Sequence, residues 1–251
     1  VLFSGWGWWG LAAMAAGLAV ITTRYRPAAA MVLAGFWLWS AAEWTTPIPP
    51  SPWMGVDLEM GASLGREVGL QRQQELIDIA RAQPAGTTVV LPESALGFWT
   101  PTGSRVWQRS LTGTGITVVA GAAIVDSQGY DNVLVKLSAD GSQVLYRERM
   151  PVPGSMWQPW RGLIGEQGGA RAHFFANPVV EVGTAIVAPL ICYEQLLVWP
   201  MLQSAFHRPE AIVAVGNGWW TAGTSIIDIQ HASSEAWARL FDLPLVISFN
   251  I

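Results

Sequence analysis

The sequence predicts an α/β layered fold, and three observations carry that expectation. Short, β-branched apolar runs bounded by Pro, Gly, Asn and Ser recur at residues 87–91, 116–125, 133–137, 144–149, 185–192, 211–215 and 245–249, and read as strands. Longer segments with apolar residues at helical spacing lie between some of them, and strands alternating with helices argue for layers. The 251 residues suffice for one such domain with a large core plus a short additional region.

Taken in order, the chain opens with no charge from Val1 to Thr23, and a second uncharged run follows from Pro27 to Ala42. The first run has roughly the 20 apolar residues that cross a bilayer. Trp6, Trp8 and Trp9 cluster at its start, and Trp37, Trp39 and Trp44 toward the end of the second, as suits a membrane–water interface. A secretory signal would place positive charge before the apolar stretch, and none stands there. Residues 1–45 are therefore expected to form two transmembrane helices, part of a longer membrane region. The other reading is a buried helical hairpin or dimer arm of a soluble protein. Arg24 and Arg26 supply the positive charge of the connector, which the positive-inside rule puts in the cytoplasm. A second span then delivers the rest of the chain to the periplasmic side of a bacterial inner membrane. The chain starts at Val and stops just after an apolar run, so a piece of a longer protein with a truncated C-terminus is expected.

Residues 46–53 are a Pro-rich linker that ends the second helix. From Met54 to Ile251 the composition is that of a soluble domain. Gln71 to Ala82 has helical spacing at Leu76, Ile77, Ile79 and Ala80. Val133 to Leu137 and Val144 to Arg149 flank Ser138-Ala-Asp-Gly-Ser142, a hairpin signal. Ile226 to Phe241 reads as a helix carrying His231, Glu235 and Arg239, and Leu245 to Phe249 as a last strand.

The bulk numbers exclude several classes. A net charge of −4 without a Lys/Arg stripe argues against a nucleic-acid partner. The single cysteine, Cys192, rules out an intramolecular disulfide and a Cys-rich metal site. It is either a small buried hydrophobe or a nucleophile. There is also a single lysine, Lys136.

Three segments place chemistry at the ends of expected strands, where reactive groups gather in open α/β sheets. Val89-Val-Leu-Pro-Glu93 ends in a carboxylate that partial desolvation would tune toward a general base, unless it simply faces solvent. Ile186 to Ile191 leads into Cys192-Tyr-Glu194 at what reads as a strand-to-helix turn. Backbone N–H groups and a helix dipole there favour thiolate and hold a developing oxyanion. Glu194 is either a second carboxylate of the site or a first-turn helix acid. Gly216-Asn217-Gly-Trp219-Trp220 is a turn whose rings suit the wall of an apolar pocket or an interface.

Together, Leu-Pro-Glu-Ser, Ile-Cys-Tyr-Glu and Asn-Gly-Trp-Trp resemble, in order and spacing, the carbon–nitrogen hydrolase (nitrilase) superfamily. Ile-Cys-Tyr-Glu is particularly like the apolipoprotein N-acyltransferases of its membrane-bound branch, and so is the run from Gln230 onward. Tyr146-Arg-Glu-Arg-Met-Pro-Val-Pro and Ser155-Met-Trp-Gln-Pro-Trp160 look more like the conjugal transfer TraB proteins. The resemblance covers roughly Met54 to Ile251. It implies a four-layer αββα sandwich and a Glu–Lys–Cys triad. Glu93 would be the base, Cys192 the nucleophile, and the Tyr193 backbone N–H an oxyanion donor. Glu194, Asn217, Trp219, Trp220 and Arg149 would contact substrate. It implies amide hydrolysis or acyl transfer without metal or organic cofactor, with a phospholipid as candidate acyl donor and conjugation-apparatus proteins as candidate partners.

One departure is plain. The family lysine precedes a Val-Pro pair, two residues after a Tyr, and that register puts Glu148 in its place. Lys136 lies on the preceding strand. Arg147 and Arg149 flank Glu148, and a one-residue bulge would turn one of them inward. A further family Glu is also missing where Gly154-Ser-Met-Trp157 stands. Clustered acids disfavour thiolate, so a hydrolase-fold component of a conjugation apparatus whose catalysis has lapsed is the rival expectation.

Overall fold

The computed structural model describes residues 1–43, 46–61, 69–221 and 223–251; Trp44, expected near the end of the second apolar helix, lies outside them. Two sheets form the middle of the molecule. Strands β1 (Trp53–Gly55), β2 (Thr88–Val90), β3 (Thr117–Asp126), β4 (Gly129–Ser138) and β5 (Gly141–Arg147) pair in chain order. Strands β6 (Val180–Val182), β7 (Ala185–Ile191), β8 (Ala211–Asn217) and β9 (Leu245–Asn250) make the second sheet, also in chain order.

Alternation along the strands decides which residues enter which layer. Val118, Ala120 and Ala122 of β3, with Val133, Val135 and Leu137 of β4, face outward. There they pack on the apolar side of α3 (Leu70–Arg81), with Ile77 and Ala80, and of α4 (Pro101–Leu111), with Trp107 and Leu111. The opposite faces, Val90, Val119, Leu134 and Tyr146, meet Val187, Ile191, Val213, Val215 and Val246 between the sheets. On the far side of the second sheet, Leu190, Ile212 and Ala214 are covered by α5 (Val198–Ala205) and α6 (Ile226–Phe241) through Met201, Ala205 and Ala238. The layers are thus α, β, β, α. At one edge the sheets touch backbone to backbone: a Cβ on Gly55 would lie 1.8 Å from the Ile247 carbonyl oxygen.

Sequence periodicity missed the short elements. Strand β6 has three residues, too few for a visible alternation, and α4 and α5 are apolar on one side only over three turns or fewer. Residues 116–125, expected as a strand or a pair, form the single strand β3.

The N-terminal expectation needs correction. Helices α1 (Gly7–Ile21) and α2 (Arg26–Ala42) are separated by a turn at the arginines, and neither is long and apolar enough to cross a membrane. At 1.5 Å per residue their 15 and 17 residues reach roughly 22 and 26 Å, short of a hydrocarbon layer of about 30 Å. They form an antiparallel hairpin, Gly17 against Leu33, that docks on the outer helical layer. The Gly5 N–H donates to the Arg239 carbonyl at 2.7 Å, Arg239 Nη2 donates to the Ser40 carbonyl at 3.2 Å, and Trp8 packs on Phe206 and Phe241. The outer side of the hairpin is apolar and open to solvent, with Trp9 79% and Met31 70% exposed.

Candidate active site

The chemistry gathers where β2, β5 and β7 end and β4 begins. Glu93 follows β2 through Leu91-Pro92, and Ser94 behind it takes φ 59°. Its backbone lies on Gly121 of β3, where a Cβ would come within 2.5 Å of the Glu93 Cα; glycine permits that approach. Cys192 ends β7 with φ 47°, a left-handed conformation that costs a non-glycine residue about 1–3 kcal/mol. The turn brings the thiol beside Glu93, close enough for each group to shift the other's protonation. Gln230, on α6, donates from Nε2 to Sγ at 3.6 Å.

Glu148 joins them. Its N–H donates to the Asn132 carbonyl at 2.8 Å, continuing the β4–β5 ladder past Arg147. A one-residue bulge does exist, but at Leu145, where the pairing steps from Leu134–Tyr146 to Val135–Val144. It acts upstream of the arginines, and neither faces the thiol as a stand-in for lysine. Arg147 pairs with Asp131. Arg149 is fully buried and donates to Tyr146 Oη, Gln203 Oε1, the Pro189 carbonyl and Ser204 Oγ, at 2.8–3.2 Å. Lys136 shares the face of Asn132 but lies about 13 Å along the strand at 3.3 Å per residue. It stands opposite Val119 and Gln143.

The two carboxylates of the site therefore face each other across an amide. Asn132 Nδ2 donates to Glu93 Oε1 at 2.7 Å and to Glu148 Oε2 at 3.1 Å. Both acids are essentially without solvent exposure. Glu93 Oε2, Glu148 Oε1 and Asn132 Oδ1 are buried and have no hydrogen-bond partner among the described residues. Burial raises the Glu93 pKa from 4.5 to about 7, against the hydrogen bond from Asn132 and the neighbouring Cys192 thiol. Burial and the charges of Glu194 and Glu93 push Glu148 well above the usual carboxylate range. Cys192 is likewise pushed well up, by burial and then by Glu93 and Glu148.

The thiolate-favouring turn expected from the sequence is thus corrected. Residues Cys192–Leu196 form a short 3-10 turn, and α5 starts only at Val198, so no α-helix dipole points at the sulfur. At neutral pH Cys192 rests as a thiol. The Tyr193 N–H lies in the first positions of that turn, where N–H groups have no partner within it.

The other expected contacts are placed as follows. Glu194 turns away into the structure: Oε1 accepts from the Arg149 and Met150 N–H groups at 2.7 and 3.1 Å, and Oε2 from the Ile191 N–H at 2.9 Å. Tyr146 Oη donates to it as well, at 2.7 Å, and Arg149 Nε stands 3.9 Å away. Glu194 ties the Cys192 turn to the end of β5 and, with Arg149, supports the site from behind. Asn217 ends β8 at the same sheet edge as Cys192, two residues past the partner of Ile191. Its Oδ1 accepts from Asn250 Nδ2 at 2.8 Å, while its own Nδ2 is buried without a partner among the described residues. Trp219 is half-buried, with Nε1 unpaired among the described residues, and Trp220 is 51% exposed. No group of three or more His, Cys, Asp or Glu among the described residues could hold a metal.

Sequence reasoning missed Asn132 and Gln230 as members of the site. Asn132 had one signal, an Asp-Asn pair entering an otherwise apolar strand.

Comparison with known proteins settles the family. The family model for carbon–nitrogen hydrolases matches residues 2–239. The chain belongs to the carbon–nitrogen hydrolase family. This hydrolase-family chain is 62% identical over its whole length to a probable conjugal transfer protein TraB of Sinorhizobium fredii, and 58% to a conjugal transfer protein TraB of Agrobacterium fabrum. It spans 65% and 60% of those relatives' lengths. Among solved structures it is similar to an amidase of the nitrilase superfamily from Nesterenkonia, with a TM-score of 0.53 at 16% identity over 78% of this chain and 74% of that one. A structure of a Glu-to-Gln mutant of that amidase, with acrylamide added at its active-site cysteine, gives a TM-score of 0.51 at 15% identity over 78% and 76%. At that identity the likeness shows the fold, and the αββα layering expected from the resemblance is found.

Proposed function

We propose that this domain uses Cys192 as a thiol nucleophile on the carbonyl of an amide or another acyl donor, and passes the acyl group to water or an amine. The observation that carries the reading is the left-handed Cys192 at the end of β7, set beside a buried Glu93 whose pKa is about 7. A base poised near neutral pH is what a resting thiol needs. The test is intact-mass spectrometry after incubation with acrylamide, the addend on the cysteine of the amidase relative, with Cys192→Ala beside the parent. One adduct in the parent alone is expected. Purification from native membrane, with hydroxylamine release, then asks for a natural thioester, with phospholipid as the first acyl donor to add.

The outer face of the α1–α2 hairpin supports association with a lipid surface, without either helix crossing it. Flotation with phosphatidylethanolamine/phosphatidylglycerol vesicles, and its loss in Trp9→Ser/Met31→Ser, tests this. The cellular place proposed is the bacterial inner membrane, with the domain on the periplasmic face; protease digestion in intact spheroplasts reads the side.

A second reading has two observations in its favour: Glu148 stands where a cation is expected, and the relatives are named for conjugal transfer. On that reading the domain is a conjugation-apparatus component with a lapsed site, and Cys192 stays unlabelled.

A further inference from the structure

Two buried carboxylates, Glu93 and Glu148, share the one side-chain amide NH2 of Asn132, which donates to them at 2.7 and 3.1 Å. The cations nearest in sequence are spent elsewhere, Arg147 on Asp131 and Arg149 on Tyr146, Gln203 and Ser204. The other groups whose charge acts on Glu148 add no positive charge. These are Glu194, whose four donors and Arg149 keep it satisfied, and Glu93. Tyr130, on β4, is held up to about 12 by burial and then by the charges of Glu148 and Glu93, so it stays a neutral phenol. From the loop beyond β5, His173 contributes only its backbone N–H, 3.3 Å from the Glu148 carbonyl. Two like charges held on one neutral amide in a buried site cannot both persist; one oxygen takes a proton. Glu148 Oε1 and Glu93 Oε2, both buried without a partner among the described residues, can each carry that proton without displacing an Asn132 bond; Glu93 must stay free to take the Cys192 proton, which leaves Glu148.

We infer that Glu148 is a protonated carboxylic acid whose Oε1–H donates to the acyl oxygen as negative charge develops on it, replacing an ammonium by a neutral donor. This rests on the function proposed above. The step balances. The Cys192 proton passes to Glu93 as sulfur bonds to the acyl carbon, and the carbonyl π pair moves to oxygen. Glu148 Oε1–H and the Tyr193 N–H hold that oxyanion. When the carbon–nitrogen bond breaks, the leaving amine takes the proton from Glu93, and Glu148 keeps its own.

Acrylamide tests the inference without the natural substrate. Sulfur adds to its terminal carbon, charge collects on its amide oxygen as an enolate, and the Glu93 proton returns to the adjacent carbon. Rates of Cys192 labelling are to be measured by intact mass in the parent, Glu148→Gln and Glu148→Ala, all checked for unchanged thermal unfolding. A neutral donor predicts that Ala slows labelling by about 10²–10³ while Gln, which keeps an N–H, stays within about tenfold of the parent. An ionised Glu148 predicts the reverse sign: both variants label faster, because a negative charge that opposes the thiolate is gone. That ordering would overturn the inference and leave the nucleophile standing. A parent that never labels overturns the proposed function and the donor role with it. Infrared difference spectra read the proton independently of any reaction. A buried carboxylic-acid carbonyl band at neutral pH, shifted in deuterium oxide and lost in Glu148→Gln, is expected, and its absence would refute the protonated state.

Discussion

Replacing Glu93 with glutamine is expected to stabilise the chain above neutral pH and to do little near pH 5. Glu93 is wholly buried, and its pKa rises from 4.5 to about 7 because burial disfavours the carboxylate. A carboxyl whose folded pKa exceeds its unfolded one binds more protons when folded, so its contribution is fully present below the unfolded pKa. It is lost as pH rises through the folded pKa, here between about 4.5 and 7. At 1.36 kcal/mol per pK unit the loss amounts to about 3 kcal/mol. Glutamine keeps an oxygen for the Asn132 N–H but never ionises, so it escapes the loss. For a chain of this size about 3 kcal/mol corresponds to roughly 6–12 °C in Tm. The assay is thermal unfolding followed by circular dichroism at several values from about pH 5 to pH 8.5. The variant's advantage should open with rising pH and level off once Glu93 is ionised. An advantage that is constant across the range, or larger at the acid end, would refute the assignment of that proton to Glu93.

Further outcomes follow from the same geometry. Acrylamide labelling of Cys192 should rise with pH to a plateau just above about 7, as Glu93 loses its proton. That limb should vanish in Glu93→Gln; a limb centred at thiol values instead would mean that Glu93 is not the base. Glu194→Ala should cost about 3–5 kcal/mol in urea unfolding, because it strands the Arg149 guanidinium in the core. Glu194→Gln/Arg149→Met together should recover much of it, and a double variant as unstable as the single would argue against a charge origin. Gly55→Ala puts a methyl 1.8 Å from the Ile247 carbonyl oxygen, so β1 and β9 must part; a loss of about 1–3 kcal/mol or more is expected, read by the same unfolding curves.

The apolar strand runs ending at Glu93, Cys192 and Asn217 were legible because each is β-branched, bounded by turn residues and followed by a polar group at a sheet edge. Glu148 in place of a lysine was legible from its register against the Val-Pro pair. The partners of these residues were not legible. Asn132 lies 39 positions from Glu93 and meets it only because β4 pairs with β3 beside the end of β2. Glu194 and Cys192 are two residues apart; linear pattern left both open, and the family resemblance gave both to the site. Left-handed φ at Cys192 sends one toward Glu93 and the other back onto Arg149 and Tyr146.

The same division runs through the N-terminus. Hydropathy located two uncharged helices and the arginines between them, but their lengths depend on where the turn closes. What the sequence determined by itself was local: periodicity, strand ends, the lone cysteine and the acid at position 148. What only the tertiary structure decided was charge state and role. A carboxyl's pKa depends on how much water and which donors surround it, and those neighbours come from strands distant in the chain.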